Sequence, residues 1–404
     1  MASEDLAQFL ARAESWLEQQ LPRRADRSTL RWGEGSDDVA LFKNLTASEE
    51  RAHIDALRQW QQKKSEAGFG SIDWPTKYGG ASLSAAHAHG FASLERRFQT
   101  PAGHEAVSIT LDLVAPTILT CGNDDQRERY VRSMRRTDDM WCQLFSEPGA
   151  GSDLASVTTR AERAGDHWTL NGQKVWTSGA QYADFGYILC RTDATAPRHA
   201  GLTAFIIPMD ADGVDVRPLR QMSGGSSFNE VFLTDVELPD SFRLGEVGAG
   251  WSVALTTLGF ERASATSSGT PSDEIFDRLV LAARHNGKDT DPLTRQALAR
   301  IYTDGRVRTM TRRRVTEAAK AGGVPGPEGS LDKLAWTEGL RQTVQAVSSL
   351  LGMELIADSG TWGTYAWSEF VNGVSGFRVA GGSDEIQRNI IAERVLGLPR
   401  EPRP

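Results

Sequence analysis

Residues 144–153 read LFSEPGAGSD, and the reading of that stretch decides how the rest of the chain divides. It leaves a strand through a run of small residues, Gly149, Ala150, Gly151 and Ser152, where backbone can approach a ligand closely. Ser146 and Ser152 offer hydroxyls beside backbone N–H groups. Further on, Trp176-Thr177-Ser178-Gly179 places an indole before two hydroxyls. An aromatic plane with hydrogen-bonding groups beside it suits a flat heteroaromatic ligand. The residues alone also allow an ordinary loop beside a core tryptophan.

Outward from this stretch the hydrophobic period changes twice. Between about residues 140 and 240 it is two: FGYILCRT (185–192), LTAFIIPM (202–209) and EVFLTDVEL (230–238) read as strands, and Asn171-Gly172 inside LNGQKVWTSGA reads as a type I′ hairpin turn. Short strands in series suggest a small barrel or sandwich. Before residue 140 the chain reads as helix. Thr46 and Glu49 have capping-box spacing, Ile54, Leu57 and Trp60 follow at helical intervals, and Gly68 ends the run. Further helical stretches fall around 84–99, 104–121 and 124–135. From Gly250 to about Leu396 helical periodicity returns, with Leu334, Leu340, Val344, Val347 and Leu351 on one stripe and the Gly/Pro-rich run AGGVPGPEGS (321–330) as a loop. The predicted fold class is α+β: an N-terminal helical domain (1–138), a middle β domain (139–242) and a C-terminal helical bundle (243–404).

Composition excludes several classes. The 404 residues carry 45 basic and 53 acidic side chains, a formal charge of −8, which argues against a chain built to neutralise nucleic-acid phosphates. No stretch reaches the ~18 uncharged apolar residues of a membrane span. Three cysteines without a CxxC pair make neither a disulfide framework nor a zinc site. The acidic start, MASEDLAQFL, is unlike a secretory or transit leader, and a cytoplasmic location is expected. His87 and His89, two apart on a helix, point to different faces, so no metal site is assigned. The run Arg312-Arg313-Arg314 reads as a solvated face.

LFSEPGAGSD, LNGQKVWTSGA and the closing GGSDEIQRNIIAERVLGLPR (381–400) occur in that order, and together they resemble the acyl-CoA dehydrogenase family. The resemblance spans nearly the whole chain. It implies FAD, an acyl-CoA substrate oxidised to the trans-2-enoyl thioester, and electron-transfer flavoprotein as acceptor. It implies that Gln143, Phe145, Ser146 and Gly151 line the flavin, and that Ser152 meets the thioester-linked arm of the substrate as well as the cofactor. Trp176, Thr177 and Ser178 match positions that pack on the flavin and bond near its N5. Ser383, Asp384 and Glu385 match a turn on the FAD diphosphate and ribose.

Two departures from the family pattern are informative. Many members carry a glutamate where this chain has Gly381, and glycine cannot take a proton. Others carry the base on an earlier helix just before an arginine, and Glu261-Arg262 stands at that place. The resemblance therefore assigns the α-proton to Glu261, the β-hydride to flavin N5, and a substrate-side role to Arg262. The second departure lies at 282–296, AARHNGKDTDPLTRQ, which lacks the Phe-Gly of an element that holds a neighbouring subunit's FAD diphosphate. The glutamine of a later element is likewise replaced within Ser349-Leu350-Leu351-Gly352-Met353, leaving Gly352 as the matching cofactor position. These changes resemble the branch acting on bulky or steroid side-chain thioesters, so a heterotetramer with a related chain is expected beside the usual homodimer or homotetramer. Two other readings stay open: a weakly or non-catalytic subunit of such a heterotetramer, and a flavin oxidase or monooxygenase of the same fold.

Overall fold

A computed structural model describes residues 4–25, 30–267, 272–320 and 327–400. Its contacts divide the chain into two units: Met1–Ala25 with Leu45–Arg220 and Ser226–Phe260, and Asp26–Asn44 with Gln221–Gly225 and Glu261–Pro404.

The first unit opens with α1 (Leu6–Gln20), where the Asp5 carboxylate accepts from the Ala7 N–H at 3.0 Å. The sequence reading assigns no helix before Thr46. Only Phe9, Ala13 and Leu17 of α1 are buried, about one residue per turn, which is a thinner stripe than amphipathic helices usually show. α2 (Ala47–Glu66) begins as its spacing predicts: the Glu49 N–H donates to the Thr46 hydroxyl while the Glu49 carboxylate accepts from the Thr46 N–H at 2.8 Å. α3 (Ala85–Glu95) follows. Then α4 (Glu105–Ser108) runs through a π-helical stretch at Ile109–Val114 into α5 (Ala115–Cys121), and α6 (Asp124–Gln126) through another at Arg127–Val131 into α7 (Arg132–Arg136).

Eight strands come next: β1 (Trp141–Leu144), β2 (Arg160–Ala164), β3 (His167–Ser178), β4 (Phe185–Arg191), β5 (Leu202–Pro208), β6 (Val214–Leu219), β7 (Phe228–Pro239) and β8 (Arg243–Leu244). They form one mixed sheet in the order β6-β7-β3-β2-β4-β5-β8, with β1 parallel to β4. Alternate residues of β4 and β5 serve two cores, as a period of two demands. Tyr187, Leu189, Ala204 and Ile206 pack with Val114, Ile118 and Met134 of the helices. Ile188, Cys190, Phe205 and Ile207 pack with Leu170, Val231 and Val236 of β3 and β7, so the sheet encloses its own core.

One expectation is overturned. Asn171-Gly172 is not a hairpin turn; β3 runs straight through it and pairs with β2 on one side and β7 on the other. The two-residue turn lies earlier, at Gly165-Asp166, with Gly165 at φ +66° and Ala164 opposite His167. Asn171-Gly172 instead marks an irregularity in the β3–β7 register. There the Asn171 amide donates to the Asp235 carboxylate at 2.9 Å, and a β-carbon on Gly172 would lie 2.5 Å from the Thr159 hydroxyl oxygen. Close approach, rather than chain reversal, requires the glycine.

The second unit is helical: α8 (Gly250–Ser267) contributes its residues from Glu261 onward, followed by α9 (Ser272–His285), α10 (Pro292–Lys320), α11 (Gly329–Leu351), α12 (Ala366–Val379) and α13 (Asp384–Ile390). Its core joins Leu279, Ala283, Val347, Leu351, Trp367 and Phe370. An early segment docks here too. Phe42 stacks on Phe377 with ring centres 4.5 Å apart, over Gly376 of α12. Of the expected loop at 321–330, residues 321–326 lie outside the described residues, and α11 begins at Gly329.

Gly172→Ala is expected to destabilise the protein by about 1–3 kcal/mol, because the added methyl meets Thr159 backbone as well as side chain. A denaturant midpoint checks this, and an unchanged midpoint would contradict the close approach.

Candidate active site

In the first unit the LFSEPGAGSD segment and the end of β3 are locked together. Lys174 is fully buried, and all three of its N–H donors are used, toward Phe145 O at 3.1 Å, Leu189 O at 2.7 Å and Glu147 Oε1 at 2.9 Å. Glu147 also accepts from the Thr158 N–H and hydroxyl and from the Thr159 N–H, at 2.7, 2.8 and 2.9 Å. Burial works against the carboxylate's charge. The Lys174 charge and hydrogen bond outweigh it, with help from Thr159 and Thr158, and hold the Glu147 carboxyl at about 2. Burial pushes Lys174 below its ordinary value, against the pull of Glu147. The Val175 N–H donates to Ser146 O at 2.9 Å, and Glu147 and Ala150 exchange N–H···O bonds of 3.0 Å across Pro148-Gly149.

Directly after this lock, Trp176 stands at φ +61° and is 62% exposed. A bulky residue in the left-handed region is strained and persists only where its surroundings over-determine it. The β3–β7 register shifts between Lys174 and Thr177, and such a bulge re-aims a side chain. The indole is therefore turned out of the sheet, edge-on to Phe228, which overturns the reading of a core tryptophan. Thr177 is buried, and its hydroxyl has no partner among the described residues, while its carbonyl accepts from the Asn229 amide at 3.0 Å. Ser178 is half-buried at the strand end. Gln143 on β1 is half-buried, Phe145 is buried edge-on to Tyr187, Ser146 is half-buried, and Gly151 and Ser152 are exposed. No atom lies within 4 Å of a β-carbon built on Gly149 or Gly151. A displayed indole and an unsatisfied hydroxyl at the end of β3, with an open glycine loop tied to that strand through Ser146 and Glu147, fit the flavin end of FAD.

The remaining sequence-predicted residues lie in the second unit. A β-carbon built on Gly381 would lie 3.1 Å from Glu261 Oε1, so the carboxylate from α8 stands beside the place a side chain at 381 would start. Gly381 and Gly382 have φ of +65° and +82°, and the Gln387 amide donates to both of their carbonyls at 2.9 and 3.2 Å. Ser383 caps α13, its hydroxyl accepting from the Ile386 N–H. Glu385 is exposed. Asp384 is buried, and its carboxylate accepts from Thr337 Oγ1 at 2.7 Å, Arg378 Nε at 2.7 Å and Lys333 Nζ at 3.4 Å. Burial opposes its charge, but Arg378, Thr337 and Lys333 prevail and keep its pKa below the ordinary value. That carboxylate ties the turn to α11 and α12. Gly352 ends α11 at φ +53°, fifteen residues beyond Thr337, or about 22 Å along the helix, so it does not join the 383–385 turn of the same chain. The Arg262 side chain lies outside the described residues.

Sequence reading misses Glu147, Lys174 and the Thr337–Arg378–Lys333 set around Asp384. A lysine is ordinarily solvent-facing, so Lys174 gives no hint of burial. Its one signal is its place two residues before Trp176 on a strand that otherwise alternates.

Three family models cover most of the chain. They are the acyl-CoA dehydrogenase N-terminal domain over residues 40–138, the middle domain over 142–236 and the C-terminal domain over 248–396. The acyl-CoA dehydrogenase IpdE1 of Mycobacterium tuberculosis is 35% identical across 98% of this chain and 99% of its own length. Among solved structures, the Tcur3481-Tcur3483 steroid ACAD matches with a TM-score of 0.78 at 26% identity, covering 98% of each chain. The ChsE4-ChsE5 complex from Mycobacterium tuberculosis matches at 0.74 and 25% identity, covering 99% of each.

Glu147→Gln strands the buried Lys174 charge and is expected to cost about 3–5 kcal/mol at neutral pH. A wild-type denaturant midpoint in that variant would contradict the lock. Because the Glu147 pKa is lower in the folded chain, the stability it confers is complete above about 4.5 and is lost as pH falls toward about 2. The gap between wild type and variant should therefore close over that acid range.

Proposed function

The chain belongs to the acyl-CoA dehydrogenase family, and we propose that it dehydrogenates the Cα–Cβ bond of a bulky or branched acyl-CoA thioester with Glu261 as the base. Members of the family are FAD-dependent oxidoreductases acting on acyl-CoA. The observation that carries the proposal is the carboxylate of Glu261 beside the empty side-chain position of Gly381. The base arrives from α8, and the terminal turn contributes room instead of an acid. That room, with the likeness to a protein titled a steroid ACAD, supports a branched or steroid side-chain substrate.

In this reading Trp176, Thr177 and Ser178 with Gln143, Phe145, Ser146 and Gly151 hold the flavin end of FAD. Ser152 lies at both cofactor and substrate, Arg262 on the substrate side, and Ser383, Asp384 and Glu385 at the diphosphate end. When bound, FAD supplies the oxidant that accepts the β-hydrogen with its electron pair. The chain's part is to move the other proton. The α-hydrogen of a thioester is a very weak acid, so Glu261 needs water excluded and fixed donors facing the developing enolate oxygen. The strained indole gives the cofactor a preformed stacking surface, so little ordering remains to be done on binding.

For assembly, dimers or tetramers with like or related chains fit the family; one observation favours an unlike partner, and another favours a second chain of either kind. The two solved relatives carry titles that each join two chain names. Gly352 lies far along α11 from the 383–385 turn, so a cofactor contact there belongs to a second chain's FAD. Electron-transfer flavoprotein in the cytoplasm is the proposed acceptor. No helix among the described residues is long and apolar enough to cross a membrane.

Glu261→Gln should retain FAD, seen as an unchanged visible spectrum, and lose roughly 10²-fold or more in turnover, the scale of general-base loss. Turnover at the wild-type rate would remove Glu261 from the role and move the reading toward a non-catalytic subunit.

A further inference from the structure

A second buried carboxylate sits on the far side of the Trp176 turn. Glu50, on α2, is buried and accepts from three groups on three elements. The His104 imidazole donates from Nε2 to Glu50 Oε1 at 3.0 Å, the Tyr182 hydroxyl donates to Oε2 at 2.9 Å, and the Ser227 hydroxyl donates as well. The Ala106 N–H donates to His104 Nδ1 at 3.2 Å, so that nitrogen carries no proton and Nε2 carries the one given to Glu50. Burial opposes the charge on Glu50, but these donors hold its pKa below the ordinary carboxylate value.

Each of the three donors is coupled to the turn that displays Trp176. Tyr182 closes it. The Gly179 N–H donates to Ser227 O at 2.9 Å, and the Gln181 amide donates to Ser226 O at 3.1 Å. Gly179, at φ +64°, lies so close to α4 that a β-carbon there would come within 2.6 Å of the Ala106 β-carbon, on the segment His104 caps. The turn is thus held before Trp176 by Glu147–Lys174 and after it by Glu50. A buried carboxylate with neutral donors costs stability unless every lone pair is used, and nothing in the sheet ladder requires one here. Fixing a strained residue is a task it can serve, because such strain persists only where the surroundings over-determine it.

We propose that Glu50, with His104 and Tyr182, is a positioning residue for the 176–178 segment, so that FAD affinity depends on a carboxylate that does not touch the cofactor. The proposal rests on the reading of Trp176, Thr177 and Ser178 as flavin contacts.

The test uses the flavoprotein as purified, with any chain that accompanies it, stripped of flavin and titrated with FAD by fluorescence. Far-UV circular dichroism and the Tm of the flavin-free form are recorded in parallel. E50Q keeps the shape but replaces one acceptor oxygen with a donor. It is expected to bind FAD about tenfold or more weakly, with a shifted flavin absorption band, while folding is retained. Y182F removes one donor and is expected to weaken binding in the same direction by less. If E50Q does not fold, Y182F decides: weakened binding supports the proposal, and unchanged binding overturns it. S178A separates the two readings. Weakened FAD binding in both E50Q and S178A supports positioning through the turn. Wild-type binding in E50Q with loss in S178A overturns the role of Glu50 alone. Wild-type binding in both overturns the flavin reading of the segment and the positioning role with it. Loss in E50Q without loss in S178A also overturns the proposal, because Glu50 would then act elsewhere.

Discussion

The buried pair of Glu147 and Lys174 is the constraint on which the candidate site depends. A lysine with no solvent exposure holds the carbonyls of Phe145 and Leu189 and the carboxylate of Glu147 at once, so one ammonium joins the glycine-rich loop, β3 and β4. Desolvating both charges is expensive, and it is tolerable only because every donor of Lys174 is used and Glu147 gains three further donors. The end of β3 depends on that fixed point. Two residues beyond Lys174, Trp176 takes a left-handed conformation and turns its indole outward, an arrangement that a loosely held strand would relax.

Much of the architecture was legible in the residues. The capping box at Thr46–Glu49, the strands at 185–191 and 202–208 and the return of helix after Gly250 all arise from local patterns that physics enforces wherever they occur. Asn171-Gly172 was not, because a dipeptide that tolerates unusual backbone angles serves a hairpin turn and an irregular strand equally well. Only the pairing with β7 separates the two. The early strap carrying Phe42 was invisible for a different reason: its docking on α12 needs Gly373 and Gly376, and small residues in a helix announce room without naming what fills it.

At the site, the sequence located the segments better than it located the forces. Ser383, Asp384 and Glu385 form one turn, yet Asp384 spends its carboxylate on Thr337, Arg378 and Lys333. Glu261 and Gly381 are 120 positions apart in the chain, and only the structure shows that the carboxylate of one borders the missing side chain of the other. On the proposed reading, with Glu261 as the base, the chemistry is kept while the terminal turn gains space, so that the scaffold changes the bulk of what it accepts without changing what it does.

The measurement that bears most directly on this account is the visible spectrum of the purified protein under anaerobic titration with acyl-CoA thioesters, from straight-chain to branched and steroid side-chain forms. The account predicts bound FAD whose absorbance bleaches with a bulky or branched thioester. A flavin that none of these thioesters bleaches, or a protein that holds no FAD under any condition of assembly, would contradict it.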